Sequence, residues 1–249
     1  MALVELRDIR KIYRVGDQDI AALDGVSLTI DAGEFLCIIG PSGSGKSTLM
    51  HLLGCLDTPT SGSLVIDGVD VSNASDDQLS KMRNSKIGFV FQAFNLLPKL
   101  DVLHNVELPM VYAGVSAKVR RERAIAAIER VDLAHRMYNT PLQLSGGQCQ
   151  RVAIARAIVN TPKIVFADEP TGNLDSKTGE TILTLFRELA ESGCTIVIVT
   201  HDNNIASRLP RRIEMRDGLI RVGVDAAISQ TAPLLVAHPA PQKEEEAQA

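Results

Sequence analysis

Alternating apolar and polar positions mark the first quarter of the chain and predict short β-strands bounded by turn residues. These runs are Leu3–Ile9, Val26–Ile30, Phe35–Ile39 and Gly62–Ile66. The third run leads directly into a glycine-rich stretch, and Lys46–Leu53 behind that stretch is predicted to be a helix. This order of strand, loop and helix favours an α/β protein.

Two later runs, Lys163–Ala167 and Thr195–Thr200, are almost continuously apolar and rich in β-branched residues. Such runs are typical of strands that are covered on both faces of a parallel sheet. Between them, Thr178–Ala190 carries apolar residues at helical spacing. The three segments together predict a βαβ unit.

Residues 93–159 have a different character, because the strand patterns disappear and Ser116–Val131 reads as an amphipathic helix rich in Ala, Arg and Glu. We therefore predict a helical subdomain inserted into an αβ core that consists of residues 1–92 and 160–222. The remaining residues 223–249 are rich in Ala, Pro, Gln and Glu, a composition that predicts a disordered tail.

Composition narrows the class of protein. The chain has 249 residues, of which 45% are hydrophobic, enough to bury a sizeable core. Its net charge of −4, the absence of Trp and an aromatic content of 4% argue against a nucleic-acid partner. We see no signal peptide, no apolar run near the roughly 18 residues that span a bilayer and no ligand-like cysteine spacing. We therefore expect a reduced, cytoplasmic protein.

The glycine-rich stretch fits the phosphate-binding pattern G-x-x-x-x-G-K-[ST]. Its residues are Gly40, Pro41, Ser42, Gly43, Ser44, Gly45, Lys46, Ser47 and Thr48. Backbone N–H groups of such a loop cradle the phosphates of a nucleoside triphosphate ahead of a helix N-terminus. We expect Lys46 to reach the β- and γ-phosphates and the Ser47 hydroxyl to bind Mg²⁺.

Two acids, Asp168 and Glu169, follow the apolar run that ends at Ala167. The carboxyl ends of strands are where open α/β sheets bind their ligands. Asp168 is therefore predicted to join the Mg²⁺ shell, and Glu169 to orient or deprotonate the attacking water.

A second glycine-rich turn, Ser145-Gly146-Gly147-Gln148, lies directly before a helix-forming run. Two phosphate-cradling elements are more than one triphosphate needs, so we expect the second to reach the nucleotide of another copy. The combination resembles the ATP-binding-cassette family over residues 3–222. That resemblance implies a P-loop NTPase fold, with a RecA-like core, an N-terminal antiparallel β subdomain and an inserted helical subdomain. It also implies a homodimer that encloses two ATP molecules.

The resemblance adds roles for single residues. Tyr13 matches the aromatic residue that stacks on adenine. Gln92 matches the glutamine that binds Mg²⁺ and water and relays the nucleotide state to a membrane partner, and His201 matches the histidine that contacts the γ-phosphate. Asn173-Leu174-Asp175 matches a loop that contacts the opposite subunit through residues such as Asp175, although Gly172-Asn173 departs from its usual spelling, SALD. Cys149 stands where a glutamine is usual and would place a thiol near the subunit interface.

Residues 51–68 and 94–116 resemble the lipoprotein-release, macrolide-export and cell-division branch, whose members pair with an integral-membrane permease. This implies an ATPase held at the cytoplasmic face of a membrane through that partner. The ATPase of a polar amino-acid importer and a signalling ATPase that transports nothing remain alternatives. A soluble ATPase acting on DNA or ribosomes is disfavoured, because the chain has one cassette and no long coiled coil between its two glycine-rich motifs.

Overall fold

Two β-sheets form the framework of the protein over residues 1–225, the part of the chain that the computed structural model describes. The first sheet contains β1 (Ala2–Val15), β2 (Gln18–Asp31), β4 (Ser61–Ile66) and β5 (Val69–Asp70). The second contains β3 (Phe35–Ile39), β6 (Ile87–Val90), β7 (Ile164–Asp168), β8 (Thr195–Thr200), β9 (Arg211–Arg216) and β10 (Leu219–Asp225). The first sheet is antiparallel, in the order β2-β1-β4-β5. The second has the order β10-β9-β3-β8-β7-β6 and is parallel except for the β9–β10 hairpin.

Helices connect the strands and form a separate layer. They are α1 (Lys46–Leu53), α2 (Asp76–Lys86), α3 (Val102–Tyr112), α4 (Ala117–Arg130), α5 (Gly146–Ile158), α6 (Ser176–Glu191) and α7 (Asn203–Ala206). Helices α3, α4 and α5, which lie in the segment predicted to be a helical subdomain, contact one another, and α5 also contacts β6. None of the helices in residues 1–225 is both long and apolar enough to cross a lipid bilayer.

The parallel sheet separates two hydrophobic cores. Along β7, Val165 faces the core that contains helices α3 to α6, whereas Phe166 faces the core that contains α1 and the antiparallel sheet. Strand β8 alternates in the same way, with Ile196 in the first core and Val197 in the second. Since side chains of a strand point to alternate faces, the prediction of doubly covered strands is confirmed.

The predicted element bounds agree best where the apolar pattern is strongest. Strand β8 and helix α1 have the predicted ends. Strands β1 and β2 extend further as an exposed hairpin whose outer residues do not alternate. Helix α2, which was not predicted, buries only Leu79.

The last strand of the parallel sheet ends later in the chain than the predicted boundary between core and tail. Strand β10 continues to Asp225, three residues beyond the predicted end of the core at residue 222. The rest of the predicted tail, residues 226–249, lies outside the described residues.

Candidate functional site

The glycine-rich loop connects β3 to α1 and packs closely against the backbone of residues 22 and 215. A Cβ atom at Gly40 would collide with the carbonyl oxygen of Met215, and one at Gly45 would lie 2.5 Å from that of Ala22. Gly45 also has φ 96° and occupies the N-cap position of α1. Among the described residues no side chain caps this helix, so its first N–H groups are left for an anion. The loop therefore fits a phosphate group.

Lys46 lies at the start of α1 and is partly buried. Its Nζ donates to the carbonyl oxygens of Gly40 and Pro41, each at 2.8 Å. Burial lowers the pKa of Lys46, while the nearby charges of Glu169 and Asp168 act in the opposite direction. Within residues 1–225 this ammonium group forms no ion pair, so its charge is available to a phosphate.

Asp168 ends β7 and is partly buried at the edge of the sheet. Burial raises the pKa of its carboxyl group, and the adjacent Glu169 raises it further, whereas His51 and Lys46 lower it. A carboxylate in this environment gains from a bound cation. Residues 1–225 contain no cluster of three or more His, Cys, Asp or Glu side chains that would hold a metal ion by itself. The oxygen donors expected here, Ser47, Gln92 and Asp168, fit Mg²⁺, which binds through one or two carboxylates together with phosphates.

The Glu169 carboxylate is held by the residues that end β8. Oε2 accepts a hydrogen bond from Thr200 Oγ1 at 2.9 Å, and Oε1 accepts one from the backbone N–H of His201 at 2.9 Å. His201 Nδ1 lies 2.6 Å from Oε1. Thr200 is fully buried, and its hydroxyl also accepts from the N–H of Asp202. Sequence reasoning missed Thr200, because this contact joins segments at the ends of two different strands.

Gln92 follows β6 and lies beside the loop that connects β7 to α6. Asn173 Nδ2 donates to the Gln92 carbonyl oxygen at 3.0 Å, and Gln92 Nε2 donates to Asn173 Oδ1 at 3.4 Å. Asp175 ends this loop as the N-cap of α6, where it accepts from the N–H and hydroxyl of Thr178. These two hydrogen bonds lower the pKa of Asp175.

The second glycine-rich turn forms the N-terminus of α5. Ser145 is the N-cap and makes a capping box with Gln148. Ser145 and Gly146 are exposed, whereas Gly147 is buried, and a Cβ there would collide with Thr178 Cγ2. In the described part of the chain, the groove beside Ser145 is lined by residues of α5 and α6 and by none of the glycine-rich loop before α1.

Tyr13 lies near the end of β1 with 37% of its surface exposed. Its hydroxyl donates to Asp57 Oδ2 at 3.0 Å, and Lys11 Nζ lies 5.1 Å from the ring centre while contacting Asp57 Oδ1 at 2.6 Å. Burial, followed by the hydrogen bond to Asp57, raises the pKa of Tyr13. Lys11 and Asp57 thus fix an accessible ring, and sequence reasoning missed both because Asp57 is distant in the chain.

Cys149 is 7% exposed, and its Sγ lies 3.6 Å from the Pro141 carbonyl oxygen. Burial raises the pKa of this thiol. The side chain therefore points into the helical subdomain, although the residue follows the exposed turn.

Comparison with known proteins places this geometry in a family. A sequence profile described as "ABC transporter" matches residues 23–172. An uncharacterised ABC transporter ATP-binding protein of Thermotoga maritima is 56% identical over 218 residues, which cover 88% of this chain and 93% of that protein. The macrolide export ATP-binding/permease protein MacB of Syntrophobacter fumaroxidans is 52% identical over 241 residues, which cover 94% of this chain but only 34% of MacB. The chain thus spans about a third of that relative.

A solved structure is also similar. The dimeric post-hydrolysis state of the ATP-binding cassette MJ0796, bound to ADP and Pi, superimposes with a TM-score of 0.82 at 48% identity and covers 89% of this chain and 98% of that one. MJ0796 is a protein of Methanocaldococcus jannaschii. The predicted fold class is confirmed by this likeness. The chain belongs to the ABC transporter family and is an ATP-binding cassette ATPase whose relatives include macrolide export proteins.

Proposed function

We propose that two copies of this chain close around two ATP molecules and that their ATPase cycle drives a membrane permease of the export type. The observation that carries the proposal is the separation of two exposed elements within one chain. The loop before α1 offers uncapped N–H groups and the Lys46 ammonium, while the exposed Ser145 caps α5 in a groove to which that loop does not contribute. A second copy in head-to-tail orientation, related to the first by two-fold symmetry, brings the loop of each copy to Ser145 of the other.

Within each site, different residues bind the phosphates, contact the adenine base and act on the attacking water. The loop N–H groups and Lys46 bind the phosphates, and Tyr13 offers its ring face to the adenine base. Glu169, fixed by Thr200 and His201, orients the attacking water and accepts its proton. Ser47, Asp168 and Gln92 would hold Mg²⁺, which when bound neutralises charge on the phosphates.

The permease would dock in a groove of about 620 Å³ between α2, α3, α5 and β6. Its lining is largely apolar, with Phe89, Phe91, Leu108 and the exposed Tyr112, and includes the basic residue Arg156. Phe91 lies directly before Gln92 in the chain, so an occupant of the groove would touch the segment that leads into the nucleotide site. The MacB relatives carry both ATP-binding and permease in their name, and this chain matches a third of such a protein. A chain with this partner would lie at the cytoplasmic face of a membrane.

The oligomeric state of the ATP-bound protein distinguishes this proposal from one in which a single copy hydrolyses ATP. Glu169→Gln should lower turnover by about 10²- to 10⁴-fold and trap an ATP-bound dimer, which light scattering after gel filtration detects. Adding Ser145→Arg should abolish that dimer while nucleotide binding by the monomer persists. Ser116→Arg is a matched control, because Ser116 is an exposed N-cap of α4 without a side-chain hydrogen bond. A dimer that forms normally with arginine at position 145 would contradict the shared-site arrangement.

A further inference from the structure

We propose that Asn173 is a positioning residue that holds Gln92 and joins it to the loop that begins at Glu169. The inference rests on the proposed role of Gln92 toward Mg²⁺ and water. It assigns a role to Asn173, one of the two residues at which this loop differs from the usual sequence, SALD.

The contact between Asn173 and Gln92 is reciprocal. The Asn173 amide donates to the Gln92 backbone carbonyl at 3.0 Å and accepts from the Gln92 side-chain amide at 3.4 Å. A carboxamide carries both a donor and an acceptor, so one side chain fixes both the backbone and the tip of Gln92. The alanine that stands at this position in the usual sequence, SALD, has no polar side-chain atom and would form neither hydrogen bond.

Gly172 brings the two segments close together. A Cβ atom at this position would lie 2.8 Å from Gln92 Nε2 and 3.4 Å from its Cδ. The Gly172 N–H donates to the Glu169 carbonyl oxygen at 3.0 Å. A backbone hydrogen bond therefore closes the turn between Glu169 and Gly172. The next residue, Asn173, is hydrogen-bonded to Gln92.

Helix α5 forms hydrogen bonds with both segments, the one that follows Gln92 and the one that follows Glu169. Arg156 donates to the carbonyl oxygens of Phe94 and Asn95, two consecutive residues with φ 61° and 50°. The fully buried Gln150 donates to the Pro170 carbonyl oxygen at 2.8 Å. Both segments are thus anchored to α5, and the Asn173–Gln92 pair adds a direct link between them at the exposed end.

Both side chains of the pair are exposed, so the bonds contribute little to folding and their loss should appear in turnover. Asn173→Ala should lower kcat by about 3- to 10-fold, the worth of an ordinary hydrogen bond, and leave KM for ATP within about 2-fold. Gly172→Ala, which displaces the Gln92 amide, should have the same effect. Asn73→Ala, at an exposed asparagine in the turn before α2, should leave both constants unchanged.

A double-mutant cycle with Gln92→Ala decides whether Asn173 acts through Gln92. We expect Asn173→Ala to reduce kcat in the wild-type background and to have no further effect in the Gln92→Ala background. Multiplicative losses, an unchanged kcat in Asn173→Ala, or a normal kcat in Gln92→Ala would overturn the inference. Each would leave the shared-site dimer standing, because that is tested separately at Ser145.

Dimer formation provides the second readout. In the Glu169→Gln background, Asn173→Ala should still give the ATP-bound dimer. Loss of that dimer would show that Asn173 acts across the subunit interface and would refute its role on Gln92 of the same chain.

Discussion

Replacing Thr200 by valine removes one hydroxyl group from the base of the catalytic site and leaves the shape of the side chain nearly unchanged. The hydroxyl is fully buried, donates to Glu169 Oε2 at 2.9 Å and accepts from the Asp202 N–H at 3.0 Å. A hydrogen bond to a charged group contributes about 1.5–3 kcal/mol, and an unpaired buried donor costs about 1–3 kcal/mol. Together the two losses predict that Thr200→Val destabilises the fold by about 2.5–6 kcal/mol.

The same substitution should reduce turnover, because Glu169 loses one of the groups that fix its carboxylate. If about 1.4 kcal/mol of the lost interaction appears in the transition state, kcat falls about tenfold. KM for ATP should change by less than about 2-fold, since the side-chain hydrogen bonds of Thr200 go to Glu169 and Asp202 and those of Lys46 to Gly40 and Pro41. Steady-state ATPase measurements and thermal unfolding of the same preparations give both quantities.

Thr195→Val is the matched control for this prediction. Thr195 lies at the other end of β8, is fully buried and accepts a hydrogen bond from the Gly33 N–H at 2.9 Å. This variant should lose stability by about 1–3 kcal/mol while retaining kcat. Equal kcat in the two variants, or a Thr200→Ser variant as slow as Thr200→Val, would refute the assignment of Thr200 as the support of Glu169.

Three further predictions concern charge, thiols and the chain end. Without nucleotide, Asp168→Asn should raise the melting temperature at neutral pH, because burial disfavours the ionised carboxyl; the gain should shrink as the pH falls and the wild-type carboxyl takes up its proton. The thiols of Cys37, Cys55 and Cys194, with pKa raised by burial to about 11, and the buried Cys149 should react slowly with a disulfide reagent at pH 7.5, and rapidly after denaturation. A chain ending after Val222 should melt at a lower temperature than one ending after Asp225, because residues 223–225 pair with β9.

Local pattern and long-range contact explain what the sequence predicted and what it missed. Helix α1 is predictable because its buried residues recur at helical spacing, and strand β8 because its six buried residues form a continuous run rich in β-branched side chains. Helix α2 escaped prediction because only one of its residues is buried, so its polar sequence has no apolar stripe. Its capping box, in which Ser75 pairs with Gln78, was the signal available in the sequence.

The candidate site follows the same division. Gly40, Lys46 and Glu169 belong to patterns in which neighbouring residues of the chain act together, and such patterns are visible in a sequence. Thr200 and Asn173 act through partners 31 and 81 positions away, so only the folded structure reveals them.

The division of the parallel sheet into two hydrophobic cores has a consequence for how this protein tolerates change. Val165 packs with the helical subdomain, and its neighbour Phe166 packs beneath α1. Adjacent residues of β7 are therefore subject to different packing constraints. A substitution at one of these alternating positions of β7 or β8 therefore changes the packing of one core directly and leaves the side chains that line the other core in place.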